Sequence, residues 1–404
     1  MTVVTGMGTV SAAGLGKARL LAALRSGTPT LAHIDRSDGM HHRTSARLAA
    51  CVEPEVLRGA AAPTDARRMS NPSRFALLAA CQALEDAGLP IPTEPDGERA
   101  VVVATAFGHT AFTQQMFDQI LDLGPTLASP MLFSESVANA AAARVALATR
   151  AAGPNLTLAQ GEAGPLLAVA RGLAEIEAGR ARTVLAGAAD EMNPLVHAIL
   201  DRFRALARAR GDQPERARPF ERRRNGFLAA EGASLLLLES EAAATARGAT
   251  PIARILGAWS AFDPSAPPSG WGNGVDRLAA RLRRGLTRFG RSPGDVDAII
   301  SGASGSRAGD RLEALVLRQA WGGQPLPPIL APKETTGEYG GAFLAAAVLA
   351  ASGERWGSAS DSVDVDPELG VGMSTLPLPA TARCFLVTTL AAGGPASWLL
   401  LERP

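Results

Sequence analysis

The sequence contains few of the residues that mark metal sites and disulfide frameworks. It has three cysteines, Cys51, Cys81 and Cys384, and none of them forms a Cys-x-x-Cys pair. No cluster of histidine and cysteine has the spacing of metal ligands. We therefore expect three reduced thiols in a cytoplasmic protein that carries no metal and no other cofactor.

The chain also lacks a charge bias and a long apolar run. Its 40 basic and 39 acidic residues leave a formal net charge of +1, which does not indicate binding to nucleic acid or to an anionic membrane. Apolar runs such as Leu235 to Leu238 are far too short to span a bilayer. The N-terminal residues Met1 to Gly6 have neither a basic region nor a long apolar stretch, so they do not resemble a signal peptide.

Short β-like runs alternate with longer helical runs, which is typical of an α/β protein with buried sheets. In the first half, Ala100 to Ala104 predicts a strand and Pro165 to Ala178 a helix. In the second half, Val296 to Ile300 predicts a strand and Gly341 to Ala351 a closely packed helix of small residues. The repeat of this order predicts two related lobes, residues 1–250 and 251–404.

Two segments rich in turn-forming or charged residues interrupt this pattern. Ala207 to Arg224 is rich in arginine and proline, and Asp263 to Gly274 is rich in proline, glycine and serine. Both compositions predict exposed loops.

Several short motifs occur in the order and spacing of one known family. They are Val3 to Ser11, Arg218-Pro219-Phe220, Asn225-Gly226-Phe227, Glu231-Gly232-Ala233, Ala308-Gly309-Asp310 with Glu313, Pro332-Lys333 through Thr336-Gly337, and Gly393-Gly394. Together they resemble the ketosynthases of fatty acid and polyketide synthesis over nearly the whole chain. The resemblance implies the thiolase fold, with two related lobes in a five-layer αβαβα sandwich.

The family's active-site positions carry other residues in this chain. Counting back from Gly179 and Gly187 places the nucleophilic cysteine at Glu162, and a shift of two residues would place it at Gln160. The two catalytic histidines fall on Gly302 and Glu338, and the phenylalanine before the C-terminal double glycine falls on Ala392. The resemblance therefore predicts a scaffold with four degenerate catalytic positions and no catalytic residue.

Other titratable residues near these positions have ordinary interpretations. Lys333 could neutralise one of the two carboxylates, although we favour a retained structural lysine. Glu162 could interact with a helix N-terminus, or it could form a new acid/base pair with Glu338. His109 and His197 lie outside the family's catalytic positions, so we expect surface or loop histidines.

The resemblance extends to one kind of subunit. Type II polyketide synthases pair a Cys-His-His ketosynthase with a chain length factor, which lacks the cysteine and shapes the tunnel for the growing chain. This sequence looks like the second subunit. The resemblance implies a heterodimer formed across a strand near Asn155 to Ala159, with acyl carrier protein bound mainly through the ketosynthase partner.

The departures at Glu162 and after Gly337 argue against an aromatic product and favour a reduced or polyene chain. The tunnel would be closed by bulky residues on the helix after the Gly108 turn and on the next segment. The candidates are Phe112, Thr113, Met116, Phe117, Met131 and Phe133. Residues 112 and 116 share a helical face, although apolar residues at this spacing are usually core.

Two other functions remain open. A ketosynthase-like decarboxylase would replace the cysteine but keep both histidines, which Gly302 and Glu338 oppose. A stand-alone thiolase-fold enzyme would use Glu162 and Glu338 in new chemistry and would form an active homodimer.

Overall fold

A computed structural model describes residues 1–36, 45–58, 68–358 and 364–404. The strands are β1 (Thr2–Ser11), β2 (Gly14–Leu15), β3 (Ala32–His33), β4 (Leu48–Ala50), β5 (Arg99–Thr105), β6 (Asn155–Ala159), β7 (Thr183–Asp190), β8 (Ala229–Ala230), β9 (Gly232–Ser240), β10 (Ala253–Phe262), β11 (Ala298–Ser301), β12 (Ile329–Leu330), β13 (Cys384–Leu390) and β14 (Pro395–Glu402).

The helices connect these strands. They are α1 (Lys17–Ser26), α2 (Pro54–Arg58), α3 (Asn71–Asp86), α4 (Thr110–Leu123), α5 (Pro130–Ser136), α6 (Ala140–Thr149), α7 (Gly164–Glu177), α8 (Pro194–Arg202), α9 (Glu241–Ala246), α10 (Val275–Arg288), α11 (Arg307–Trp321), α12 (Lys333–Thr336) and α13 (Ala342–Ala351).

The large sheet consists of two halves with the same topology. The first half has the order β6-β5-β7-β9-β1, and the second has the order β12-β11-β13-β14-β10. When the five strands of each half are numbered by their order in the chain, both halves have the spatial order 3-2-4-5-1. Both have two parallel pairs followed by two antiparallel pairs. The predicted relation between two lobes is thus visible in the strand order, whereas the boundary near residue 250 stays a prediction.

The helices form three layers around the two halves of the sheet. One outer layer contains α3 and α6, which pack on the first half, and the other contains α10 and α11, which pack on the second half. The middle layer contains α7 and α13, whose side chains share one core with strands of both halves. This arrangement confirms the predicted five-layer α/β sandwich.

The middle helix α13 shows why the sequence favours this burial. All ten of its residues are buried, and it has no polar face. A helix that is apolar all round must be covered on every side. Its alanines allow both halves of the sheet to approach closely.

For one of the two predicted loops, the expectation of an exposed segment was wrong. The segment Ala207 to Arg224 has little regular structure, but Ala207, Ala217 and Phe220 are buried. The backbone N–H of Phe220 donates to the buried carboxylate of Asp310 at 2.9 Å. This segment therefore packs into the second lobe. Its arginine content predicted exposure, but its apolar residues are buried.

Candidate functional site

Four loops that are distant in the sequence meet beside the middle helical layer. Glu162 precedes α7 and Glu338 precedes α13, while Gly302 follows β11 and Ala392 lies between β13 and β14. Glu162 and Ala392 line a common cavity, and Glu162 and Glu338 line a second one. The hydroxyl of Thr389, which packs beside position 302, donates to the carbonyl oxygen of Glu162 at 3.1 Å. The structure thus brings all four predicted positions together.

The carboxyl group of Glu162 lies beside two backbone N–H groups, its own and that of Ala392, which favour its charged form. Burial and the charge of Glu338 raise the pKa of Glu162 to about 7, although these two donors and Lys333 act in the opposite direction. In acyl-transfer enzymes, paired backbone donors of this kind hold the oxyanion of the reacting carbonyl group. Here the chain's own carboxyl group lies beside two backbone N–H groups.

Glu338 forms a buried ion pair with Lys333. The ammonium nitrogen lies 2.5 Å from the Glu338 carboxylate, and the two side chains are only 2% and 3% exposed. The same ammonium lies 5.0 Å from the ring centroid of Phe343, within the range of a cation–π contact. A carboxylate paired in this way accepts hydrogen bonds and cannot donate one. Lys333 therefore pairs with one of the two carboxylates, which is the alternative that we weighed against the favoured structural lysine.

At Gly302 there is neither a side chain nor space for one. A Cβ atom added there would lie 2.8 Å from the carbonyl oxygen of Thr388 and 2.8 Å from Cβ of Thr389. Real Cβ atoms do not approach backbone oxygen this closely, so any larger residue requires the loop to move. The preceding Ser301 donates to the buried Glu313 at 2.6 Å, which fixes the loop further.

Two cavities of very different size meet at Glu162 and Tyr339. The inner cavity, which also reaches Lys333 and Glu338, has a volume of about 10 Å³, enough for about one water molecule. The outer cavity has a volume of about 480 Å³ and is lined in part by Phe107. Glu162 and Tyr339 line both cavities, so these two side chains separate them.

Tyr339 is held in this position by its backbone and by aromatic contacts. Its φ of 83° lies in the left-handed region, which is uncommon for a residue other than glycine. Its ring packs edge-on against Phe107 and Phe227, with centroid distances of 4.8 and 5.7 Å. Strained backbone of this kind persists only where the surroundings enforce it.

No cysteine or described histidine lines either cavity. We expected surface or loop histidines. His109 does lie in the loop before α4, although it is buried, whereas the expectation was wrong for His197, which is buried within α8. Nδ1 of His109 lies 2.5 Å from the Ser70 hydroxyl, and Nδ1 of His197 lies 2.5 Å from Arg36. Burial lowers the pKa of each imidazole to about 4. Both histidines therefore belong to structural networks.

The candidate tunnel residues lie on α4 and α5, and none of them lines either cavity at Glu162. Phe112, Thr113 and Met116 are half-buried, whereas Phe117, Met131 and Phe133 are exposed. Their role in a tunnel stays a prediction, because a single chain does not enclose them.

The predicted pairing strand β6 lies at one edge of the large sheet. Leu156 and Leu158 on this strand are half-buried. An apolar edge strand offers unpaired backbone groups to another chain and is usually covered in the native assembly.

Two further features concern the whole described chain. Among residues 1–36, 45–58, 68–358 and 364–404, no group of three or more His, Cys, Asp or Glu side chains could hold a metal ion. Within the same ranges no helix combines the length and hydrophobicity needed to cross a bilayer.

The sequence interpretation missed two acidic residues that organise the site. Asp190 accepts hydrogen bonds from the N–H groups of Ala106 and Gly340, at 2.7 and 3.3 Å. Glu191 accepts from the N–H of Ala111 at 2.7 Å. The available signal was a pair of consecutive acids at the end of a buried strand, where charge is rarely left without partners.

Comparisons with known proteins place this geometry in a family. Residues 2–244 match the family described as beta-ketoacyl synthase, N-terminal domain. The chain is 30% identical over 340 residues to the 3-oxoacyl-[acyl-carrier-protein] synthase 2 of Mycobacterium bovis, which covers 81% of this chain and 79% of that protein. It is 28% identical over 419 residues to the granaticin polyketide beta-ketoacyl synthase 1 of Streptomyces violaceoruber, with 100% and 98% coverage.

A solved structure shows the same fold over the full length. The chain matches the ishigamide ketosynthase/chain length factor with a TM-score of 0.87 and 26% sequence identity. The match covers 100% of this chain and 99% of the other.

Proposed function

Because the chain belongs to the beta-ketoacyl synthase family, we propose that it is the non-condensing chain length factor of a type II polyketide synthase. One observation carries the proposal: neither cavity at Glu162 is lined by a thiol or, among the described residues, by an imidazole. Decarboxylative condensation needs a nucleophile that can carry an acyl group as a thioester and donors that stabilise the enolate.

The residues that replace these groups are poor substitutes. The Glu162 carboxylate is a weak nucleophile, and it lies beside the two backbone donors that an oxyanion would need. Glu338 forms an ion pair with Lys333, and a carboxylate in such a pair is a hydrogen-bond acceptor, not a donor to an enolate. Gly302 offers no donor, and the inner cavity has no room for an acyl chain.

The surface supports a partner. On α4, α5 and the segment between them, Phe117, Leu121, Leu127 and Phe133 are 55–80% exposed. This apolar surface and the edge strand β6 together favour a large interface with another chain. We propose a Cys-His-His ketosynthase as that chain, with acyl carrier protein bound mainly through it and the tunnel formed between the two subunits.

The test compares three preparations with malonyl-loaded acyl carrier protein. We expect no carbon–carbon bond formation by the chain alone and product formation by the chain co-expressed with a Cys-His-His ketosynthase homologue. Product should disappear when the partner's nucleophilic cysteine is replaced by alanine. Elongation by the isolated chain, or a complex that fails to form on size analysis, would reject the proposal.

A second candidate is a decarboxylase that uses Glu162. The raised pKa of about 7 favours it, since an acid/base catalyst works best near the ambient pH. The outer cavity also gives an approach to this carboxyl group. Steady release of CO₂ from malonyl-loaded carrier protein by the chain alone, abolished by Glu162→Gln, would favour this candidate over the first.

A further inference from the structure

The helix that carries most of the tunnel candidates is weakly held by packing. None of the residues of α4 is buried, and Phe117 and Leu121 are 55% and 80% exposed. A helix that packs on a core normally buries an apolar stripe. The orientation of α4 in this chain therefore depends strongly on how its ends are attached.

The N-terminus of α4 is fixed by a residue from another part of the chain. His109 at the N-cap position makes no capping hydrogen bond with its side chain. Instead, Oε1 of Glu191 accepts from the Thr110 hydroxyl at 3.1 Å and from the N–H of Ala111 at 2.7 Å. The first N–H groups of a helix have no partner within the helix, and a carboxylate is favoured there by the helix dipole. Glu191 is only 2% exposed, so its own position is fixed.

Glu191 directly follows Asp190, the last residue of β7. Asp190 accepts from the N–H of Ala106, in the turn that leads to α4. It also accepts from the N–H of Gly340, in the turn that carries Glu338 and Tyr339. The end of β7 therefore ties the start of α4 and the degenerate site to the same rigid strand.

The hairpin formed by α4 and α5 is anchored again on α5. Glu135 of α5 is fully buried and accepts from the hydroxyls of Ser70 and Ser73, each at 2.9 Å. Its other oxygen lies 2.6 Å from Nε of Arg144. Between these two carboxylates the outer face of the hairpin is apolar and uncovered within this chain.

We propose that Glu191 is a positioning residue that sets the placement of α4, and through α4 the length of the chain that the complex makes. Met116 lies six residues after Thr110, about 9 Å along the helix axis at 1.5 Å per residue, so a tilt at the attached end displaces it. The link to chain length rests on the proposed function, whereas the attachment of α4 does not.

The experiment compares Glu191→Leu, which removes the acceptor, with Glu191→Gln, which keeps an acceptor oxygen of similar reach. Burial raises the pKa of Glu191, so a neutral amide suits the site. The matched control is Ser306→Ala, which removes a hydrogen bond to the N–H of Gly309 at the start of α11 in the other lobe. Glu191→Leu and Ser306→Ala each remove a hydrogen bond at a helix N-terminus, so both should destabilise the chain by similar amounts.

The first measurement is amide hydrogen exchange of the single chain. In Glu191→Leu we expect exchange across residues 110–123 to be about five-fold faster, the usual effect of a lost cap. Glu191→Gln should remain close to the wild type, and Ser306→Ala should leave α4 unchanged. Unchanged exchange of α4 in Glu191→Leu would overturn the positioning role.

The second measurement is product mass from the complex with a Cys-His-His ketosynthase. Glu191→Leu should broaden the distribution of chain lengths, Glu191→Gln should restore it, and Ser306→Ala should not change it. Faster exchange in α4 with an unchanged product distribution would overturn the link to chain length. A wild-type complex that makes no product would instead reject the proposed function. The exchange data would still test whether Glu191 fixes the N-terminus of α4.

Discussion

Replacing Glu162 by glutamine removes a half-buried ionisable group but keeps its size and one acceptor oxygen. In the folded chain, burial and the Glu338 carboxylate raise the pKa of Glu162 from 4.5 to about 7. In the unfolded chain the group returns to its ordinary value. Between these two values the folded state binds more protons than the unfolded state, so its stability falls as the pH rises. The loss is complete above the folded-state pKa.

The size of this effect follows from the shift in pKa. A rise in the pKa of Glu162 from 4.5 to about 7 corresponds to about 3 kcal/mol, since a tenfold change in an equilibrium constant is about 1.4 kcal/mol. Glutamine does not titrate. The free energy of unfolding of Glu162→Gln relative to the wild type should therefore increase by about 2.5 kcal/mol between pH 5 and pH 8.5.

The assay is denaturant unfolding of the wild type and Glu162→Gln at pH 5, 6.5 and 8.5. Glu94→Gln, at an exposed position, is the control and should show a constant difference from the wild type. His109 and His197, whose pKa values are lowered to about 4, make every variant more stable as the pH rises from 4 to 6.5. Their contribution cancels in the difference. If Glu162→Gln differs from the wild type equally at pH 5 and pH 8.5, the pKa of Glu162 is not raised in the folded chain.

Three further predictions concern the site and the tunnel. Gly302→Ala should destabilise the chain by about 1–3 kcal/mol in denaturant unfolding, because its Cβ would lie 2.8 Å from a backbone oxygen; unchanged stability would show that the loop yields easily. Lys333→Met should cost about 3–5 kcal/mol because it leaves Glu338 buried without its partner, and adding Glu338→Gln should recover most of that loss; a double variant no more stable than the single one would contradict this pairing. Phe112→Ala or Met116→Ala in the complex should lengthen the product by mass spectrometry, and an unchanged length in both would reject α4 as the tunnel end.

The sequence predicted the fold well because its signals are local. Glycines close the helices, apolar runs of strand length mark the buried sheet, and the small-residue helix near residues 341–351 requires burial on all sides. The motif order then fixed which residues stand at the four candidate positions. Such patterns need only neighbours in the chain, so they can be read without tertiary structure.

The contacts between distant segments could not be predicted in this way. The burial of His109 and His197, the burial of Phe220 within an arginine-rich segment, and the role of Asp190 and Glu191 each depend on partners far away in the chain. Charge and composition favour an exposed position for such residues when their partners are unknown.

The sequence by itself determined that Glu162 and Glu338 stand where the family resemblance expects sulfur and imidazole. Only the tertiary structure decided the surroundings of the candidate positions: Glu162 lies beside two backbone N–H groups, Glu338 pairs with Lys333, and no side chain fits at Gly302. The physical reason is that residue identity is a local property. Hydrogen bonding, pKa and available volume arise only where loops from both lobes pack against one another.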